Sequence, residues 1–215
     1  MKRLFTSIIS AAILLTATAR ELVNVDYDKI RHEVTANPEQ FRALTNRFLI
    51  GDTTLTADQK ATVYYGHAFT PQYDPDREYK DLDNAYNNGS YGTALVLAEQ
   101  GLADNPVSLE LTIRALVSAT QIPGIAPAKI AALRSRYDII GDAILCSGSG
   151  ITPESPFKVI TPDDEARVLR NLFRVKEIID RTTIQGLDAV KVRLDEAEDP
   201  IILYFDISPA RTAAK

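Results

Sequence analysis

The side chains that most often carry hydrolytic chemistry are sparse in this chain of 215 residues, which has two histidines and one cysteine. Ser149 lies in a Gly-Ser-Gly turn, but position 147 is serine where a nucleophile elbow needs glycine. Cys146 follows two apolar residues, a context typical of a buried small hydrophobe rather than a reactive thiolate. The sequence therefore predicts no catalytic residue and a protein that is not an enzyme. A hydrolase without a recognisable motif stays open as a second alternative.

Metal and cofactor motifs are also absent from the sequence. It has no His-x-His, no His-Glu-x-x-His and no cysteine pair, and no glycine-rich nucleotide loop. Asp163, Asp164 and Glu165 follow Thr161-Pro162 at a predicted helix start, where the helix dipole favours the ionised form and should lower their pKa values. A general acid needs a raised pKa, so we do not expect these carboxyl groups to act as one. Because the metal and nucleotide motifs are absent, we predict no metal site and no cofactor.

A tyrosine-rich stretch is the remaining candidate for molecular recognition. Tyr64, Tyr65, His67 and Tyr73 fall within a short segment that also contains turn residues. Tyrosine combines a flat apolar face with a polar tip, which suits contact with a peptide or a sugar. The same residues also serve to pack a loop against helices. Both interpretations remain open, so this segment is an alternative binding site for a small ligand or glycan.

The first 19 residues have the pattern of a secretory signal peptide. Lys2 and Arg3 precede an uncharged apolar run to Leu15, and Ala17-Thr18-Ala19 matches a cleavage site. We expect a periplasmic or secreted protein that starts near Arg20, with no membrane span in the mature chain. From there on the chain has 22 basic and 29 acidic residues, a net charge of −7, which disfavours binding to nucleic acid.

Residues 20–146 read as a helical region. Thr56-Ala57-Asp58-Gln59 is a capping box, Asn37-Pro38 suits a helix start, and Asp74-Pro75 predicts a third. From Gly89 the chain carries Tyr91, Ala94, Ala98 and Gly101 before Pro106, which resembles the second half of a tetratricopeptide repeat. Small residues at this spacing let two antiparallel helices approach closely. Tyr91 is therefore a binding candidate on a repeat-like surface, with a generic helical hairpin as the alternative.

Residues 147–215 have sequence patterns typical of β-strands rather than of helices alone. Phe157 to Ile160 predicts a short strand, Val175 to Ile184 another, and two alternating segments around Val192 and Leu203 predict a hairpin. Helices followed by strands indicate an α+β fold with a small antiparallel β-rich part. We expect this part to pack on the helices as one globular unit.

Several short sequence segments, in their order along the chain, resemble one family of secreted bacterial proteins, domain of unknown function 4919. They are Leu44-Thr45-Asn46-Arg47-Phe48, Gly51-Asp52-Thr53-Thr54-Leu55-Thr56, Tyr64-Tyr65-Gly66-His67-Ala68-Phe69, Ser147-Gly148-Ser149-Gly150, Phe157-Lys158-Val159-Ile160, Asp164-Glu165 and Leu203-Tyr204-Phe205-Asp206. The resemblance implies a compartment and an architecture but no activity. Together with the helical hairpin, it leads us to expect a non-enzymatic module that binds an envelope protein or peptide.

Overall fold

The structure is a computed structural model that describes residues 22–195, 197 and 199–208. The predicted signal peptide, residues 1–19, lies outside the described residues. Within the described part of the chain, no helix is both long enough and apolar enough to cross a bilayer.

Eight α-helices are present in the described chain, seven of them before the first strand. They are α1 Tyr27–Ala36, α2 Pro38–Leu49, α3 Ala57–Gly66, α4 Lys80–Asn87, α5 Tyr91–Asp104, α6 Leu109–Gln121, α7 Pro127–Leu145 and α8 Pro162–Arg167. A 3₁₀ turn, His67–Phe69, extends α3, and a π-helical turn, Val168–Leu172, extends α8.

The local cap signals explain most of the helix starts. Thr56 and Gln59 form the predicted capping box at α3, and the Thr161 side chain accepts a hydrogen bond from Asp164 N–H at α8. Asn37 makes no side-chain cap, but its backbone N–H bonds Glu33 at the end of α1. The helix predicted from Asp74 is wrong in its start, because turns occupy that segment and α4 begins at Lys80.

Four strands form one sheet in the order β1–β4–β3–β2. They are β1 Phe157–Lys158, β2 Val175–Ile184, β3 Leu187–Leu194 and β4 Ile201–Asp206. The expected antiparallel pairing holds between β2 and β3 and between β3 and β4. β1 instead runs parallel to β4, with Phe157 opposite Phe205, so the sheet is mixed. The chain between β1 and β4, including α8, provides the long crossover that parallel pairing requires. The fold is α+β, as predicted.

One hydrophobic cluster contains residues from both the helical and the β-rich regions. Tyr65 of α3, Ile144 of α7, Val190 of β3 and Phe205 of β4 are its buried members from four different elements. The described parts of the helical region and of the β-rich region therefore share one hydrophobic core.

A second cluster lies among α4, α5, α6 and the first half of α7. Ala94 and Ala98 of α5 are fully buried in it, together with Leu111 of α6. A Cβ added to Gly101 would lie 2.9 Å from a methyl of Leu111, so glycine allows α5 and α6 to approach closely here. This is the close packing that the spacing of small residues predicts.

Candidate functional site

The two adjacent tyrosines of α3 connect the helical region to the backbone of the C-terminal region. Tyr64 and Tyr65 are 1% and 0% exposed. Tyr64 Oη donates to Asp164 Oδ2 at 2.8 Å and accepts from Ile160 N–H at 3.3 Å. Tyr65 Oη lies 3.1 and 3.2 Å from the carbonyl oxygens of Lys158 and Ala143. Both hydroxyls satisfy buried polar groups and present no free face to solvent.

His67 and Tyr73 complete the predicted aromatic segment and also pack inward. His67 is 4% exposed, and its Nδ1 lies 3.3 Å from Thr70 Oγ1. Its Nε2 is buried without a hydrogen-bond partner among the described residues, and burial lowers its pKa to about 4. Tyr73 is half-buried, lies edge-on to the His67 ring at 6.0 Å, and donates to the Ile160 carbonyl. These contacts favour core packing over a recognition loop.

The pKa of Asp164 is raised, whereas its position at a helix start predicts a lowered one. This residue is 1% exposed, and burial raises the pKa of its carboxyl to about 6. Its Oδ1 accepts from Leu109 N–H at 3.2 Å, while Oδ2 accepts from Tyr64. These bonds favour the ionised form, but the lost hydration outweighs them. Burial likewise raises the pKa of Glu165, so the expected lowering is wrong for both side chains.

A surface cleft of about 470 Å³ lies between the segment before α4, the first turns of α6 and the two ends of α8. It is lined by Pro75, Asp76, Arg77, Glu78, Tyr79, Lys80, Leu82, Asp83, Glu110, Arg114, Pro162, Asp163 and Arg167. Its volume lies within the range of about 300–1,000 Å³ common for ligand pockets. Polar and charged side chains predominate, so an occupant would be held through charge and hydrogen bonds as well as apolar contact.

A buried glutamate organises the inner wall of this cleft. Glu110 lies in the first turn of α6, which Ser108 caps by accepting from Leu111 N–H. It is only 7% exposed and forms ion pairs with Arg114, one turn further along α6, and with Arg167 of α8. The carboxylate is therefore shared by two guanidinium groups, which keeps α8 against the start of α6.

Arg114 also links the cleft to the tyrosines of the neighbouring hairpin. Its guanidinium pairs with Asp83 of α4 at 2.6 Å and lies over the Tyr86 ring, with Cζ 4.7 Å from the centroid. Tyr86 in turn meets Tyr91 edge-on at 6.1 Å. Tyr91, a predicted binding residue, is half-buried at the start of α5 and connects through Tyr86 to Arg114 of the cleft.

The family described as domain of unknown function (DUF4919) has a model that matches residues 28–215. The chain belongs to this DUF4919 family. The match confirms the family predicted from the short sequence segments. No curated protein and no solved structure matches the chain.

The other sequence candidates of this DUF4919 protein serve as packing elements. A Cβ on Gly148 would lie 2.2 Å from the Pro156 carbonyl oxygen, and Ser149 N–H donates to Ser155 Oγ at 2.9 Å, so the Gly-Ser-Gly turn is tightly packed. Cys146, the single cysteine of the sequence, is half-buried. Among the described residues, no group of three or more His, Cys, Asp or Glu side chains could hold a metal ion.

Sequence reasoning missed the three charged residues that organise the cleft, Glu110, Arg114 and Arg167. The spacing of Glu110 and Arg114 along one helix was a detectable signal of an ion pair. Nothing in the local sequence signals that Arg167 reaches the same carboxylate, because that contact joins residues far apart in the chain.

Proposed function

We propose that this DUF4919 protein is a non-enzymatic module, exported to the cell envelope, that binds a peptide or an exposed segment of another protein. The cleft beside α4 and α6 is the proposed binding surface. The observation that carries the proposal is the Tyr91–Tyr86–Arg114 row, which runs from α5 across α4 to the cleft wall. Aromatic and arginine side chains of this kind are enriched where proteins bind other proteins.

The arrangement of helices supports a repeat-like surface. The chain places two hairpins in succession, α4–α5 and α6–α7, and the first helix of each contributes to the cleft. Arg114 and Asp83 connect these two first helices. Stacked helix pairs commonly use such a face for extended ligands. The tetratricopeptide-like character of the hairpin is part of this proposal.

The non-enzymatic part of the proposal rests on the position of the predicted reactive side chains. The hydrogen-bond contact of the His67 ring is with Thr70, and Ser149 lies in a packed turn. The export part rests on the signal-peptide pattern of residues 1–19. A glycan or small-ligand site at Tyr64, Tyr65, His67 and Tyr73 gains no support, since three of these four side chains are buried.

A site-specific crosslinking experiment tests the proposal. A photoreactive residue replaces Lys80, whose side chain is 81% exposed at the cleft, or Lys29, which is 70% exposed on α1 and does not line the cleft. After irradiation of the cell envelope, mass spectrometry should identify a reproducible protein adduct from position 80 alone. Tyr91→Ala should weaken this adduct, whereas Val96→Ala, at an exposed position of the same helix, should leave it unchanged. Equal adducts from both probe positions would reject the cleft as the binding surface.

A further inference from the structure

Every basic side chain that lines the cleft already has a carboxylate partner. Arg77 pairs with Asp104 at 2.7 Å, and Lys80 pairs with Glu78 at 2.7 Å. Arg114 and Arg167 share Glu110, as described above. An acidic occupant would have to compete with these internal carboxylates for the same cations. This competition is costly at the largely buried pairs of Arg114 and Arg167 with Glu110.

Two carboxylates of the lining differ from this pattern. Asp76 and Asp163 are exposed, and neither forms an ion pair with any described residue. They belong to different walls, since Asp76 precedes α4 and Asp163 lies in the first turn of α8. The lining contains five acidic and four basic residues, a net charge of −1. Two carboxylates rather than one stay without an ion pair among the described residues, because Arg77 pairs with Asp104, which lies outside the lining.

We propose that the occupant of the cleft is an extended segment of a partner protein that carries lysine or arginine residues. Its cationic groups pair with Asp76 and Asp163 on the two walls, while the Tyr86–Tyr91 face contacts its apolar parts. This inference rests on the proposed function and names the chemical class of its ligand. Complementary charge at an exposed rim chiefly accelerates association and selects among partners, so binding should weaken as salt rises.

The test begins with a displayed library of random peptides, selected on the exported protein purified from the envelope of its host. Selected peptides should be enriched in lysine and arginine relative to the starting library. A fluorescent copy of the best peptide then reports the dissociation constant by anisotropy at several salt concentrations. Asp76→Asn and Asp163→Asn should each weaken binding about twofold to fivefold, as is usual for an exposed charge pair, and should flatten the salt dependence.

Matched controls separate a local charge contact from the protein's overall negative charge. Asp28→Asn and Glu39→Gln each remove one carboxylate whose side chain is 95% or 79% exposed on α1 or α2. These variants have the same net charge as the two cleft variants and should bind the peptide as the unchanged protein does. Equal weakening in all four variants would overturn the inference, because it would show only non-specific attraction.

The remaining outcomes distinguish this inference from the proposed function. Neutral or acidic selected peptides whose binding is lost in Tyr91→Ala would leave the peptide-binding function standing and overturn the basic ligand class. Basic peptides insensitive to both Asp76→Asn and Asp163→Asn would also overturn it. A library that yields no binder to the folded protein would contradict the proposed function itself, together with the inference.

Discussion

Two buried side chains should give the folded protein opposing pH dependences in the same pH range. His67 has a pKa lowered by burial from 6.5 to about 4, and Asp164 has a pKa raised by burial from 3.8 to about 6. The stability of a protein changes with pH wherever its folded and unfolded states bind different numbers of protons. Both residues create such a difference between pH 4 and pH 6, but with opposite signs.

The sign follows for each group from which state binds the proton. Between pH 4 and 6.5 the unfolded chain protonates His67 and the folded chain does not, so the free energy of unfolding rises with pH. Between pH 3.8 and 6 the folded chain retains a proton on Asp164 that the unfolded chain has lost, so the same free energy falls with pH. For each group, the difference between its folded and unfolded pKa changes the free energy of unfolding by about 3 kcal/mol across that pH range.

In the unchanged protein the two opposing slopes of unfolding free energy against pH largely cancel. A substitution at either residue should therefore reveal the slope of the other. His67→Gln removes the rising contribution, so its stability relative to the unchanged protein should decline by about 3 kcal/mol from pH 4 to 6.5. Asp164→Asn removes the falling contribution, so its relative stability should increase by a similar amount from pH 4 to 6. The altered hydrogen bonds of each variant add an offset, but that offset does not depend on pH, so the slope is the diagnostic quantity.

Urea unfolding at constant ionic strength, at half-unit steps from pH 4 to 7, provides the measurement. Exposed positions on α1 provide the controls, His32→Gln for a lost histidine and Asp28→Asn for a lost carboxylate. Both should lie within about 0.5 kcal/mol of the unchanged protein, as is usual for surface substitutions. Stability curves of His67→Gln and Asp164→Asn that run parallel to that of the unchanged protein would refute the assigned burial effects.

Three further outcomes are expected. Gly148→Ala should destabilise the protein by about 1–3 kcal/mol or more in urea unfolding, because its Cβ would lie 2.2 Å from the Pro156 carbonyl oxygen, whereas Gly92→Ala has open space and should be near neutral. Tyr65→Phe should cost about 1–3 kcal/mol in the same assay, since buried carbonyl oxygens lose their donor; an unchanged midpoint would show that the hydroxyl contributes nothing. The intact mass of the exported protein should place its first residue at Arg20, and a mass that includes Met1 would exclude cleavage.

The features that could be predicted from sequence are those decided by neighbouring residues. The Thr56–Gln59 capping box and the Thr161 cap depend on hydrogen bonds between residues three positions apart, and both form as predicted. The alternation of apolar residues around Val192 and Leu203 likewise gives the β3–β4 hairpin. In each case the determining contact lies within one short segment.

Several features that the sequence left open or predicted wrongly depend on contacts between distant segments. Tyrosine has the same chemical character in a core and on a recognition surface, so the role of Tyr64 was decided by Asp164, which lies 100 residues away. The raised pKa of Asp164 arises from the elements that bury it, while the local helix start alone favours the opposite shift. The parallel pairing of β1 with β4 also needs the intervening crossover, which alternation within a strand does not encode.

The start of α6 connects the buried network to the cleft. Leu109 N–H bonds Asp164, and the next residue, Glu110, pairs with Arg167, so two side chains of the short helix α8 hold consecutive residues of α6. One of these contacts belongs to the core and the other lines the proposed binding surface. These contacts hold the cleft wall in place, so binding of the proposed partner should lose less conformational entropy. It also follows that a change at Glu110 should disturb folding and binding together, whereas changes at the exposed Asp76 and Asp163 should chiefly affect binding.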